Sequence, residues 1–526
     1  MFKRLQSKKN RGSSQVVLAL ISIAVIVFVF ALKFHNTIVC PFPKELRENN
    51  TIIFAEYFAT GINPYSSSVL NSEIPFATSM YGFIVPLIMC PFVYVFSQIG
   101  VPSIEICEFV TICIELAGII AAYKALKIRT EQTSLSLFGA AMLIGCYWRL
   151  SPNGGAFPDQ WGLTGSILLM YLIIKDRAND KFNPIVYTIL MITLTFTKQY
   201  FLFVIPGFLF FILLHDYKEF AVTTIILGIL SAISCAVVYL VFPLFFCEAF
   251  PMASGQTLSW ELSYSLKQIP AIAIMYPFIC IAAIAGIGSV LKDVIKDKQL
   301  RDHIPYELCQ MLLVFLPTVI IAKNQGTNYT YYLQLFFPYV LLFGIMTIHR
   351  IRLSEHYRNH IETLFVIIMI ISFIPCGKFT YPKYYPQTDV QEWNRVYSMI
   401  SSYGKDDKVL LPIALSDYCI KNNISTSEYG QAIYNNQTNL DHFHGNKIYR
   451  NLPLLKDTPA LIEKNISYNI QVRENVANGY YSIIGLDYMN EYDLTEDFLI
   501  DNGYTCIDRS NLRMEDQHWD VALYVR

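Results

Sequence analysis

Apolar runs near 20 residues long, separated by short polar stretches, recur from the N-terminus to about residue 375. That pattern predicts a polytopic α-helical membrane protein, because about 20 apolar residues carry one helix across the hydrocarbon core. The first run, about 14–32, follows a basic leader with Lys3, Arg4, Lys8, Lys9 and Arg11. It is longer than a signal-peptide core, and ALKFHN offers no small-residue cleavage site. It therefore reads as a retained signal anchor with its N-terminus in the cytoplasm. Further runs near 103–123, 133–150, 160–175, 184–198, 200–214, 220–244, 268–290, 305–322, 332–349 and 361–375 bring the expectation to about 11 transmembrane helices.

One apolar stretch decides the orientation of all the later ones. Residues 80–96, MYGFIVPLIMCPFVYVF, hold Pro86 and Pro91 and have no cation on their far side. If the stretch lies in the interface without crossing, the short cytoplasmic loops hold about 19 Lys and Arg and the outer loops about six. If it crosses, the balance reverses to roughly 9 inside against 16 outside. The non-crossing arrangement obeys the rule that cations stay inside. It places the loop 34–102, the SPNGGAFPDQ loop, the Lys198-Gln199 boundary, AKNQGTNYTYY and everything after Pro375 on the outside.

The tail, 376–526, is more polar and long enough for one small domain, against residues 1–375 for the membrane part. KVLLPIAL, YYSIIGLDY and WDVALYVR read as short buried strands and DVQEWNRVYSMISSYG as helix, which together predict an extracytoplasmic α/β domain. His442 and His444 alternate as if on a strand, and no third ligand is evident near them, so surface histidines are the simpler reading.

Composition narrows the class without naming it. With 54% hydrophobic and 15% charged residues and a mean hydropathy of +0.38, a soluble enzyme is excluded. A net charge of −1 gives no reason to expect nucleic acid as a partner. The 12 cysteines are scattered, without CxxC or zinc spacing.

The candidate chemistry therefore lies on the outer side. Glu45 and Glu48, three apart on a helix start with Arg47 between them, share one face; the plainer reading is a charged first turn favoured by the helix dipole. Asp159 sits in a Gly/Pro-rich loop, where an N-cap for the helix from Trp161 is the simple alternative. Lys198 in LTFTKQYFLF is a cation flanked by apolar residues, costly unless it has an anionic partner; a helix-end anchor is its alternative. Arg149, at a span end, is either a phosphate ligand or an interfacial snorkelling cation. Lys323, Asn328 and Tyr331 lie in one loop with Gly326, and Glu73 precedes the 80–96 stretch.

The acidic loop after the anchor, the run ELRENNTIIFAEYFATGINPY, the later YG, FPDQ, TKQY and NQGTNYTYYL together resemble membrane glycosyltransferases of the GT-C superfamily. Among these the likeness is to the group of dolichyl-phosphate-mannose protein mannosyltransferases and the lipid A aminoarabinose transferase. It covers roughly residues 1–375 and rests on layout and short motifs. It implies a GT-C-like membrane domain that moves a sugar from a polyprenyl-phosphate-linked donor to a glycan, lipid or protein acceptor, with inversion. By the same resemblance Glu45 or Glu48 is the general base and Asp159 the second acid, facing the acceptor or a metal. Lys198, Gln199, Lys323 and Arg149 are the candidates for holding the donor phosphate, from their charge or polarity at the outer interface, and Arg47, Glu73, Asn328 and Tyr331 are further loop candidates. The resemblance fixes no cofactor and leaves a divalent metal as a candidate. A multi-pass plasma-membrane protein is expected, with the endoplasmic reticulum membrane as the alternative. A transporter or flippase for a lipid-linked sugar is the competing function, although the sequence shows no internal repeat. A third reading, a non-catalytic assembly subunit, requires the loop acids to be dispensable.

Overall fold

The computed structural model describes residues 2–40, 48–71, 79, 81–150, 155–249, 277–297, 304–321, 336–350, 364, 367, 386–404, 408–422, 424, 437–487, 492, 494–514 and 517–526. Glu45, Arg47, Glu73, Lys323, Asn328, Tyr331 and nearly all of the 361–375 run lie outside the described residues. In chain order the helices of the first 350 residues are α1 (Phe2–Val39), α2 (Glu48–Ala59), α3 (Ile84–Ser97), α4 (Ser103–Thr130), α5 (Thr133–Leu150), α6 (Pro158–Ala178) and α7 (Pro184–Thr197). They continue with α8 (Val204–His215), α9 (Tyr217–Val241), α10 (Phe245–Ala249), α11 (Pro277–Asp297), α12 (Tyr306–Ile321) and α13 (Phe337–Arg350).

Local chemistry sets several of these boundaries. Asn183 accepts a hydrogen bond from Val186 N ahead of Pro184, opening α7. Asp216 accepts from Lys218 N and Glu219 N and opens α9. Among the described residues three helical segments are long and apolar enough to cross a membrane: Gln15–Val39, Tyr217–Val241 and Pro277–Ile295. On α9, Ile225, Ile229, Ile233 and Val237 form an exposed stripe four residues apart, an apolar face suited to lipid. The 80–96 stretch becomes α3, a 14-residue helix with Pro91 inside it, packed on α2, α4 and α7. At about 21 Å it is shorter than the roughly 30 Å hydrocarbon core. The described helix within the expected 268–290 run starts at Pro277 and continues to Asp297.

In the tail, helix α14 (Gln387–Tyr403) matches the helical stretch expected there. The strands are β1 (Val409–Leu410), β2 (Ile483–Leu486), β3 (Thr505–Met514) and β4 (Gln517–Val525), in the order β1-β2-β4-β3. β1 and β2 are parallel, while β4 runs antiparallel to both β2 and β3. Three of these strands lie in the three segments read as strands, and β3 is additional. His442 and His444 fall on a helix, Gln437–Gly445, where alternating residues diverge, and His444 is exposed.

Two large cores result. One fills the bundle between α1, α4–α8 and α11–α13. The other joins Ile52 and Phe54 of α2, Phe83, Val85 and Phe245 to Trp393, Leu415, Ile483 and Leu523 of the tail. The tail is thus packed on the end of the bundle where α2 lies.

Candidate functional site

The first turn of α2 is polar and buried, which is unusual enough to require partners. Glu48, Asn49, Asn50 and Thr51 are all 2% exposed or less. Glu48 Oε2 accepts from Ala156 N at 2.8 Å, in the loop that leads into α6. Asn49 donates to the Ser416 hydroxyl of the tail. Asn50 Oδ1 accepts from the Ser79 hydroxyl, while Ser79 N donates to Glu248 Oε2 at 2.7 Å. One helical turn therefore ties together the loop before α6, the segment before α3, α10 and the tail. Burial pushes the Glu248 carboxyl well above its usual range, against the pull of the Ser79 N–H.

Three residues beyond Ala156, Asp159 occupies the first turn of α6. The reciprocal capping bond is made by its neighbour, since Gln160 Oε1 accepts from Phe157 N at 2.9 Å. Asp159 is free for another role: its Oδ2 accepts from Lys198 Nζ at 2.7 Å, with the carboxylate 1% exposed and the lysine 9%. The other oxygen, Oδ1, has no hydrogen-bond partner among the described residues. Lys198 ends α7 but does not reach out to water. Its ammonium lies 4.3 Å from the Tyr81 ring centroid, 4.8 Å from Phe157 and 5.1 Å from Tyr200. The anionic partner that Lys198 requires is thus supplied by Asp159.

The YG dipeptide has a physical account. Gly82 N donates to Thr197 O at 3.2 Å, and a Cβ on Gly82 would lie 1.7 Å from Phe196 O. Only glycine permits that approach to the end of α7, and the approach sets Tyr81 over Lys198. Gln199 turns the other way and donates to Ala249 O at 3.0 Å, in α10. Arg149 lies in the last turn of α5, its side chain outside the described atoms.

Sequence reasoning missed a second buried polar row beside this site. Glu108, Thr111 and Glu115 follow one face of α4, and all are buried. Glu115 accepts two bonds from Lys33 Nζ of α1, at 2.8 and 2.7 Å, and one from Gln160 Nε2 at 2.6 Å. Thr111 accepts from the Trp161 indole at 3.1 Å. The signal was available: acids seven apart in an otherwise apolar run share one helix face and are costly in lipid without partners. Among the described residues no three His, Cys, Asp or Glu side chains stand where they could hold a metal ion.

The fold is shared with solved structures of two other proteins. The chain is similar to ArnT from Cupriavidus metallidurans bound to undecaprenyl phosphate, with a TM-score of 0.51 and 10% identity over 95% of this chain and 97% of that one. Its likeness to the Archaeoglobus fulgidus oligosaccharyltransferase in complex with Zn and sulfate has a TM-score of 0.50 and 11% identity, over 94% of this chain and 71% of that one. At this identity the likeness is one of fold. No family model matches the sequence, and no curated protein does.

Proposed function

We propose that the protein is a membrane glycosyltransferase that moves a sugar from a polyprenyl-phosphate-linked donor to an acceptor hydroxyl on the extracytoplasmic side. The observation that carries this reading is the union, at one end of the bundle, of three chemical groups far apart in sequence: Glu48, Asp159 and Lys198. Displacement at an anomeric carbon requires a base for the acceptor proton and a cation for the departing phosphate. Glu48, or Glu45 a turn earlier in sequence, takes the proton as the acceptor oxygen forms its bond to the anomeric carbon, with inversion. The bond from that carbon to the phosphate oxygen breaks, and the lipid phosphate leaves toward Lys198, with Gln199, Arg149 and Lys323 as further donors. Asp159 holds Lys198 in place and, through Oδ1, retains capacity to accept from a substrate hydroxyl. The undecaprenyl phosphate in the similar ArnT structure supports a lipid phosphate as the leaving group. About 11 crossings, a cytoplasmic N-terminus and a plasma-membrane location complete the reading.

The test uses purified protein in lipid with radiolabelled polyprenyl-phosphate hexose and a panel of acceptors, following release of sugar from the carrier. Glu48→Gln is expected to abolish turnover while membrane expression persists. Full activity in both Glu45→Gln and Glu48→Gln rejects the base assignment. Carrier binding without turnover, unchanged in either variant, moves the assignment to a transporter of lipid-linked sugar.

A further inference from the structure

At the other end of the bundle, α4, α6 and α13 enclose a cavity of about 310 Å³ lined by Arg129, Arg177, His349, Ile128, Ile174 and Met346. Arg177 lies eighteen residues after Asp159 on α6, about 27 Å along the axis at 1.5 Å per residue. That is close to the roughly 30 Å of a hydrocarbon core, so cavity and candidate site belong to opposite membrane faces. Lys124, Lys127, Lys175 and Lys181 stand at the same helix ends, which marks this end as the cytoplasmic one by the cation rule.

The two guanidiniums are held but not saturated. Arg129 gives two of its five N–H groups to Glu307 Oε1 and Oε2, both at 3.3 Å. Arg177 gives one to Glu219 and lies over the rings of Phe182 at 5.1 Å and Phe211 at 5.8 Å. Their remaining N–H groups have no hydrogen-bond partner among the described residues. Glu307, fully buried, and Glu219 offset part of this charge. Ile128, Ile174, Ala178 and Met346 form an apolar wall opposite His349 and the guanidiniums, and Ile128 is 36% exposed on the bundle surface. Spare guanidinium donors above an apolar, surface-open wall suit a ligand with a phosphate at one end and hydrocarbon at the other. A soluble anion would leave that wall unused.

We infer that this cavity binds the phosphate headgroup of an anionic membrane lipid from the leaflet opposite the candidate catalytic face, with Arg177 and Arg129 as its ligands. The inference does not depend on the proposed transferase reaction, and its test involves no turnover. Native mass spectrometry of the full chain, released from micelles, would compare retention of phosphatidylglycerol and phosphatidylcholine. Preferential retention of phosphatidylglycerol is expected, weakened about fivefold in Arg177→Gln, as one interfacial cation contributes. Lys181→Gln, on the same face but outside the cavity, is expected to leave it unchanged. Arg177 is the residue to replace, because its partner Glu219 is partly exposed, whereas loss of Arg129 strands the buried Glu307. Equal retention of both lipids, or a preference unaltered in Arg177→Gln, overturns the inference. Displacement of the lipid by millimolar glycerol phosphate or inorganic phosphate overturns it in favour of a soluble anion.

Discussion

Lys33 Nζ and Glu115 Oε2 meet 2.7 Å apart with both side chains 1% exposed, joining α1 to α4 inside the bundle. Gln160 Nε2 donates to the same carboxylate, so the pair also fixes the first turn of α6, where Asp159 lies. A buried ion pair contributes little net stability, but a buried charge left alone is expensive. Lys33→Met is therefore expected to cost about 3–5 kcal/mol by stranding Glu115. Adding Glu115→Gln removes the stranded charge yet keeps an acceptor for Gln160, and most of the loss is expected to return. Thermal unfolding in detergent reads both variants. Equal destabilisation in the single and double variants would sink the account.

Asp159 and Lys198 form a second such pair, linked to the first through Gln160, the residue after Asp159. If they work as one unit in the proposed reaction, the effects of replacing them do not add. Asp159→Asn and Lys198→Met are each expected to lower kcat/KM by at least about 100-fold, as loss of a preorganised charge does. The double variant is expected to be no worse than the poorer single one. Multiplicative losses would mean that the two side chains act separately.

The helical architecture was legible because lipid forces backbone polar groups to pair within each segment, so apolar run length reports helices directly. Lys198 was legible for the same reason, since charge beside oil demands a partner; that Asp159, singled out in its Gly/Pro-rich loop, would be that partner was not. The acids on α4 escaped notice because Glu108 and Glu115 are diluted in a run whose average remains apolar, although their spacing puts them on one face. β3, TCIDRSNLRM, was missed because its strand character comes from pairing with β4 rather than from alternation of its own residues. His442 and His444, read as surface histidines rather than as a metal pair, lie on a helix, where an i, i+2 pair diverges, and His444 is exposed. The hub at Glu48 and Asn49 depends on contacts with residues more than 100 positions away, Ala156 and Ser416, which local pattern cannot supply.

Glu56 gives the proposed fold a pH dependence. It lies on α2, outside the segments read as membrane-spanning, and burial raises its carboxyl from 4.5 to about 7, with a hydrogen bond to Ser103 opposing. The folded state therefore holds a proton that the unfolded chain releases near 4.5. This contribution to stability is complete below pH 4.5, declines between 4.5 and about 7, and is gone above. The span is at most about 3 kcal/mol. Glu56→Gln is expected to flatten this segment of the stability–pH curve and to raise stability at pH 8. Unfolding measured at pH 5, 6, 7 and 8 checks it; parallel curves for the two proteins would reject the buried proton.

Gly82 offers the sharpest link between backbone and chemistry. Alanine there would place its Cβ 1.7 Å from Phe196 O and 2.5 Å from Thr197 O, both backbone atoms that no rotamer change can move aside. The end of α7 must shift, and the Gly82 N to Thr197 O bond is the first to go. Overpacking of this kind costs about 1–3 kcal/mol, so a lower melting temperature is expected. Activity is expected to fall further than stability explains, because the same shift takes the Tyr81 ring away from Lys198, which it now faces at 4.3 Å. Two control variants separate the effects. Tyr81→Phe keeps the ring and is expected to retain near-normal turnover, whereas Tyr81→Leu loses the cation–π contact, about 0.5–2 kcal/mol of hold on the ammonium. If Gly82→Ala and Tyr81→Leu both transfer sugar at the unaltered rate, the Tyr81 ring has no part in the reaction.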